Sequence, residues 1–326
     1  MTEHDLDMFV DSAPLRDDCV LPYRVVRAGA SGRVVRLGAA LDQVLSGHDY
    51  PEPVSQLLGQ AVAVTALLGA SLKIEGKFIL QTNTDGPVDM LVADYRSQGE
   101  LRGYAHFDAD KVAALGKDGD IDMGQLLGHG HLAMTIDQGP DTDRYQGIVA
   151  LDGDDLNAAA DTYFRQSEQL PTFIRVAVAR HYDGAASAWT WRAGGLIVQQ
   201  LSEEGGRATM ESPVYDVAAE EAEDWNRVNL LAQTVEDHEL LDPMLTSERL
   251  LYRLFHEERV RVYEPQLLAA YCRCSEKRVE NIMQRFSDED LGDMVEDGKI
   301  VVTCEFCGAS YSFAPDHFNE ESNPQA

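Results

Sequence analysis

The chain has 326 residues, 44% of them apolar and 25% charged, enough for about two domains with a sizeable core. Its 27 Lys+Arg against 56 Asp+Glu leave a formal charge of −29. So acidic a protein repels phosphate backbones and anionic bilayers, which argues against nucleic-acid or membrane-surface partners and favours solubility.

The most apolar stretch, residues 61–72, is too short to span hydrocarbon and carries Thr65, Gly69 and Ser71. The acidic start MTEHDLDMFVD lacks the basic-then-apolar pattern of an export signal. A cytoplasmic location is therefore expected, with reduced cysteines.

Residues 1–212 read as one α+β core. Pro51 and Pro53 open a helix in which Leu57, Ala61, Val64, Leu68 and Leu72 recur every three or four positions, and Gly76 follows as a stop. Strands are predicted at 78–82, 90–95, 101–107, 132–136, 146–151, 174–179 and 196–201, with a turn at Asp85-Gly86-Pro87. A helix over 154–170 takes Asp154 or Asp155 as its cap. The pattern leaves strand order open.

The character changes after residue 202. Residues 203–258 hold fifteen acids and four bases. Two short helical stripes appear, Trp225/Val228/Leu231/Val235 and Leu250/Leu251/Leu254/Phe255, the second after a Ser247 cap. Helices this short are marginal without a packing partner, so 213–258 is expected to be a metastable helical linker.

Residues 259–318 form a third unit: a strand at 260–263, a helix from Glu276 to about Phe286, a hairpin turn at Asp297-Gly298, and strands at 300–303 and 311–313. Residues 319–326 read as a tail. Four of the five cysteines fall here, Cys272-x-Cys274 and Cys304-x-x-Cys307, with 29 residues between the pairs. The second pair follows a strand and precedes Gly308, the pattern of a metal knuckle. Two pairs complete a four-sulfur site suited to zinc or iron, with zinc favoured for a closed structural site. One intervening residue is unusual for a zinc knuckle, and it brings the first pair close enough for a local disulfide. Each pair can close on itself, which makes the site a candidate redox switch. Cys19 has no sequence partner.

At this point the residues carry a resemblance. YCRCSEKRVENIM at 271–283 and CEFCGASYSF at 304–313 resemble the redox domain of the 33 kDa chaperonin family of redox-regulated heat-shock proteins. RVVRLGAALDQVL, HDYPEPV, YQGIVAL, YFRQSEQLPT and AGGLIVQQL resemble the core of the same family. Lys277 and His131 depart from its usual pattern. The resemblance implies an ATP-independent holdase, not an enzyme. Reduced, it would hold one Zn²⁺ through Cys272, Cys274, Cys304 and Cys307 and be inactive. Oxidation would form Cys272–Cys274 and Cys304–Cys307 disulfides, eject zinc and unfold the linker. The active form would bind unfolding client proteins and pair as a homodimer; the client-binding surface is left unassigned.

Two other classes compete. A thiol–disulfide oxidoreductase would use Cys304 and Cys307, but redox-active pairs of the thioredoxin kind open a helix. A zinc-ribbon nucleic-acid module is opposed by the charge. No GxxxxGK loop or GxSxG elbow is present. The GHGHL run at 128–132 reads as a solvated turn, and YFRQSEQLPT as a helix end with backbone-capping polar side chains.

Overall fold

The computed structural model describes residues 4–5, 15–71, 76–116, 121–139, 142, 144–153, 155–168, 170–184, 187–201 and 217–318. Leu72, Asp154, the 202–216 part of the expected linker boundary and the expected tail at 319–326 lie outside these residues.

In chain order the elements are β1 (His4–Asp5), β2 (Cys19–Val25), β3 (Ala30–Leu37), α1 (Ala39–Ser46), α2 (Glu52–Gly69), β4 (Lys77–Thr84), β5 (Met90–Arg96) and β6 (Glu100–His106). Then come α3 (Ala109–Leu115), α4 (Met123–Leu127), β7 (His129–Asp137), β8 (Tyr145–Asp152), α5 (Leu156–Tyr163), β9 (Thr172–Asp183) and β10 (Ala188–Gln200). The last third holds α6 (Val217–Gln233), α7 (Asp237–Leu241), α8 (Ser247–Phe255), β11 (Val260–Val262), β12 (Gln266–Leu267) and β13 (Ala269–Ala270). It closes with α9 (Glu276–Met283), α10 (Asp288–Asp293), β14 (Val295–Glu296), β15 (Lys299–Thr303) and β16 (Ser310–Phe313).

Two large sheets enclose α2. The first runs β1-β11-β2-β3-β10-β9, with β12 also on β2; the second runs β13-β6-β5-β4-β7-β8. Pro53 near the first turn fixes φ where no amide hydrogen is needed, and α2 then presents apolar residues almost all round. Val54, Leu57, Leu58, Ala61, Val62, Val64, Leu67 and their neighbours are fully buried, as a helix sandwiched between sheets requires. Gly69 lets the last turn approach Tyr95, whose ring fills the space a Cβ would need.

A second apolar layer lies on the opposite face of the first sheet. There Val228, Ala232, Val235, Leu240, Leu250, Leu251, Leu254 and Phe255 pack on Leu21, Tyr23, Val34, Leu196 and Val198. Both predicted stripes take part: Val228 and Val235 are buried, while Trp225 and Leu231 pack at the margin. The cap of α8 is Thr246, accepting from the Arg249 N–H at 3.1 Å, one residue before the expected Ser247. The buried guanidinium of Arg36 donates to the carbonyls of Asp242 (2.7 Å) and Glu239 (3.1 Å), tying β3 to the end of α7.

Several expectations shift. The helix expected over 154–170 is α-helical only to Tyr163, capped by Asp155, and continues as a π-turn over Phe164–Glu168. GHGHL is the opening of β7 rather than a turn, after Gly128 at φ +66°. Residues 260–270, expected to belong with the C-terminal unit, hydrogen-bond to the large sheets: β11 and β12 pair with β2, and β13 runs parallel to β6. The strand begun at Val260 thus continues the core's ladder before the chain reaches the cysteines. Cys19 sits in β2, and burial pushes its thiol up to about 11.

A four-cysteine centre docked on the core

The C-terminal module has a small core of its own: Val279, Met283, Leu291, Ile300 and Phe313. Asp297 and Gly298, both at positive φ, turn β14 into β15. β15 delivers Cys304, and the chain then folds tightly on itself. The Cys304 N–H donates to Ala309 C=O at 2.8 Å, and the Gly308 N–H returns to Cys304 C=O at 2.8 Å. Gly308 takes φ +69°, a left-handed turn that glycine makes without Cβ strain. Cys272 and Cys274 arrive from the other side, just before Ser275, whose hydroxyl caps α9 by accepting the Arg278 N–H. Cys304 and Cys307 lie between two strands, not at a helix N-terminus.

The four sulfurs converge, all within 4.8 Å of one another. Sγ of Cys272 is 3.7 Å from that of Cys304, and Sγ of Cys274 is 3.3 Å from that of Cys307. A zinc ion with four sulfurs at about 2.3 Å requires S–S edges of about 3.8 Å, so the cluster matches the size of a tetrahedral thiolate site. The residues present fit such an ion. No sulfur is joined to another; all five cysteines carry free thiols.

Protonation follows from this crowding. Burial raises the Cys274 thiol, but hydrogen bonds from Tyr311 and the other three thiols outweigh it and bring it to about 7. Burial pushes Cys272 and Cys307 up, and the Tyr311 hydroxyl, donating to Cys274, rises to about 12. A thiol lowered in this way and surrounded by donors suits a cation ligand, and a bound cation would displace those protons.

The centre is pressed against β5 and β6. Between the first two cysteines, Arg273 reaches Asp94 at 3.0 Å, and Arg102 Nε holds the other carboxylate oxygen at 2.7 Å. The Asp94 and Arg273 side chains are only 5% and 10% exposed. The Arg102 guanidinium also lies 4.0 Å above the ring of Phe306, inside the second pair. Glu305 accepts from Tyr104 at 3.4 Å. Backbone meets backbone at Gly47, where an added Cβ would sit 2.9 Å from the Cys307 oxygen, and at Gly308, where one would collide with Gly47. Apart from Cys307 and Gly308, none of these docking groups was singled out from the sequence. Asp94, a lone charge within the run MLVADY, was the available signal.

A buried helix lies between two sheets, and a compact module docks on the second with four thiols that could hold a metal ion at the seam. A family model described as Hsp33 protein matches residues 18–314. A relative named 33 kDa chaperonin from Caulobacter vibrioides is 46% identical over 302 residues, covering 92% of this chain and 95% of that one. The Proteus mirabilis protein of the same name is 36% identical over 307 residues, covering 93% and 96%. A crystal structure of the 33 kDa chaperonin from Thermotoga maritima superposes with a TM-score of 0.73 at 21% identity, covering 93% of this chain and 97% of that one. The chain belongs to the Hsp33 family.

Proposed function

We propose that the protein is a redox-switched, ATP-independent holdase of the cytoplasm, in which Cys272, Cys274, Cys304 and Cys307 bind one zinc ion in the inactive form. The observation that carries this reading is the convergence of four sulfurs at the point where the C-terminal module meets the core. A bound zinc ion would supply a cross-link of roughly 10–16 kcal/mol between the two cysteine pairs. The module has only five buried apolar residues of its own, and whole domains are stable by only ~5–15 kcal/mol. Its fold therefore depends on the thiolates staying reduced.

Peroxide would convert each pair to a disulfide, Cys272–Cys274 and Cys304–Cys307. Four thiolates give up four electrons to two peroxide molecules, which take up four protons from solvent and leave as four waters. Sulfur paired with sulfur no longer ligates, the module loses its support, and Arg273 and Phe306 leave the core. The units would act as core 1–212, linker 213–258 and switch 259–318, with 260–270 strapping the switch to the core. Loosened helices α6 and α8 would expose Val228, Leu250, Leu254 and their neighbours beside the sheet they now cover. Clients would be unfolding proteins, and the active form would pair as a homodimer.

The test is zinc release measured together with client holding. Peroxide with gentle warming should release one zinc per chain, lower helicity and suppress aggregation of a heat-denatured client. Equal suppression by the fully reduced, zinc-loaded protein would remove the switch.

A further inference from the structure

Each cysteine pair is met by a side chain that is not a cysteine. Tyr311, from the module itself, hydrogen-bonds Cys274. Cys272 is met from outside the module, by Arg102 of β6, whose guanidinium hydrogen-bonds its sulfur. Two further contacts fix that arginine. β5 and β6 pair with Asp94 directly opposite Arg102, so the two side chains share a face of the sheet. Asp94 Oδ2 accepts from Arg102 Nε at 2.7 Å and lies 2.6 Å from Nη2. The Phe306 ring centroid is 4.0 Å from the guanidinium carbon, and Tyr104, two residues along β6, meets the same ring at 6.0 Å between centroids. A guanidinium carries five N–H donors in one plane, so the bonds to Asp94 leave others for sulfur. Arg273, next to Cys272 in the chain, is committed to Asp94 at 3.0 Å and Glu100 at 4.0 Å.

We propose that Arg102 is a positioning residue of the zinc site, a core side chain that orients the Cys272 sulfur and offsets the charge of the four thiolates. The inference rests on the zinc reading above and adds to it a residue from the core. The argument is electrostatic. A divalent ion on four thiolates is left doubly negative. It would sit in a chain of formal charge −29, beside the carboxylates of Asp94 and Glu100. Within the module, Tyr311 supplies a hydrogen bond but no charge. Arg102 supplies both, and its fork is held by Asp94 at the angle that meets the sulfur. Partners of this kind, which hold a ligand atom without touching the metal, orient the ligand and tune its affinity. The four-sulfur site is therefore complete only while the module is docked. Undocking takes the cation away from the thiolates, so zinc affinity and docking are one coupled quantity.

The test uses the full-length reduced protein loaded with zinc or, as a spectroscopic probe, with Co²⁺. Arg102→Gln should lower zinc affinity by about 10–100-fold in chelator competition. It should also move the thiolate-to-cobalt charge-transfer band to lower energy, because a sulfur that loses an N–H donor and a nearby cation holds its electrons less tightly. Arg273→Ala loosens docking but keeps Arg102, and should leave that band in place. Arg102→Lys is the conservative variant should Arg102→Gln not fold. It keeps the Asp94 ion pair, but one nitrogen replaces the planar fork, so the same band shift is expected. Wild-type zinc affinity and an unmoved band in the Arg102 variants would overturn the proposal. So would equal band shifts in Arg102→Gln and Arg273→Ala, which would leave Arg102 a docking group only. A wild-type protein that takes up neither metal would defeat the zinc reading itself, whereas metal bound identically with and without Arg102 defeats this inference alone.

Discussion

Replacing Arg273 with alanine isolates the contact between the metal centre and the core. The residue lies between two proposed ligands yet points away from them, onto Asp94. Asp94 keeps Arg102 after the change, so the main loss is one charge-assisted hydrogen bond, with a looser 4.0 Å ion pair to Glu100 lost beside it. Such a bond is worth roughly 1.5–3 kcal/mol, a factor of about 10–150 in the docking equilibrium. In the zinc-loaded Arg273→Ala protein, the 299–313 hairpin and β6 should exchange amide hydrogens faster by about that factor, and peroxide should release zinc sooner. Zinc stoichiometry should stay at one. A double-mutant cycle with Asp94→Asn should show coupling between the two positions. Unchanged exchange and release in Arg273→Ala would refute the view that this ion pair holds the module in place.

Cys304→Ser should abolish tight zinc binding by the reduced protein, measured with a chromogenic chelator; stoichiometric zinc in this variant would break the ligand assignment. Acidification should weaken zinc binding. The Cys274 thiolate is present above about 7 and is lost as pH falls through that value, while the raised Cys272 and Cys307 thiols must give up protons on binding, so affinity rises with pH. A competition titration flat between pH 6 and 8 would contradict this. Leu254→Ala removes a side chain buried against the first sheet and should cost about 2–5 kcal/mol. Limited proteolysis should then cut 217–258 faster, and holding activity should appear at lower oxidant concentration; unaltered linker protection would count against the role given to these helices.

What the sequence shows depends on how local the cause is. α2 was legible because its apolar positions repeat along one segment, and the knuckle because strand, cysteine spacing and Gly308 are adjacent in the chain. β2 escaped prediction because Pro22 sits in its middle, tolerated there because its carbonyl still accepts the Tyr263 N–H at 3.0 Å. β3, reading ASGRVVRL, hides its strand behind charges, one of which, Arg36, is spent on the carbonyls of α7. The Asp94–Arg273 pair spans 179 residues, and no spacing rule reaches that far. The strand expected at 260–263 was grouped with the C-terminal unit, and β12 and β13 went unpredicted, for the same reason: the partners of 260–270 are β2 and β6, far away in the chain.

Those short strands also set the order in which the protein can come apart. Walking back from Cys272, the backbone is fastened first by Ala269–Ala270, then by Gln266–Leu267, then by Val260–Val262, each held to a different stretch of sheet. Slack introduced at the cysteines must open these clasps one after another, like the teeth of a zip, before it reaches α8. A weak pull frees only the last tooth and can reclose, whereas a full opening strips an outer strand from each large sheet.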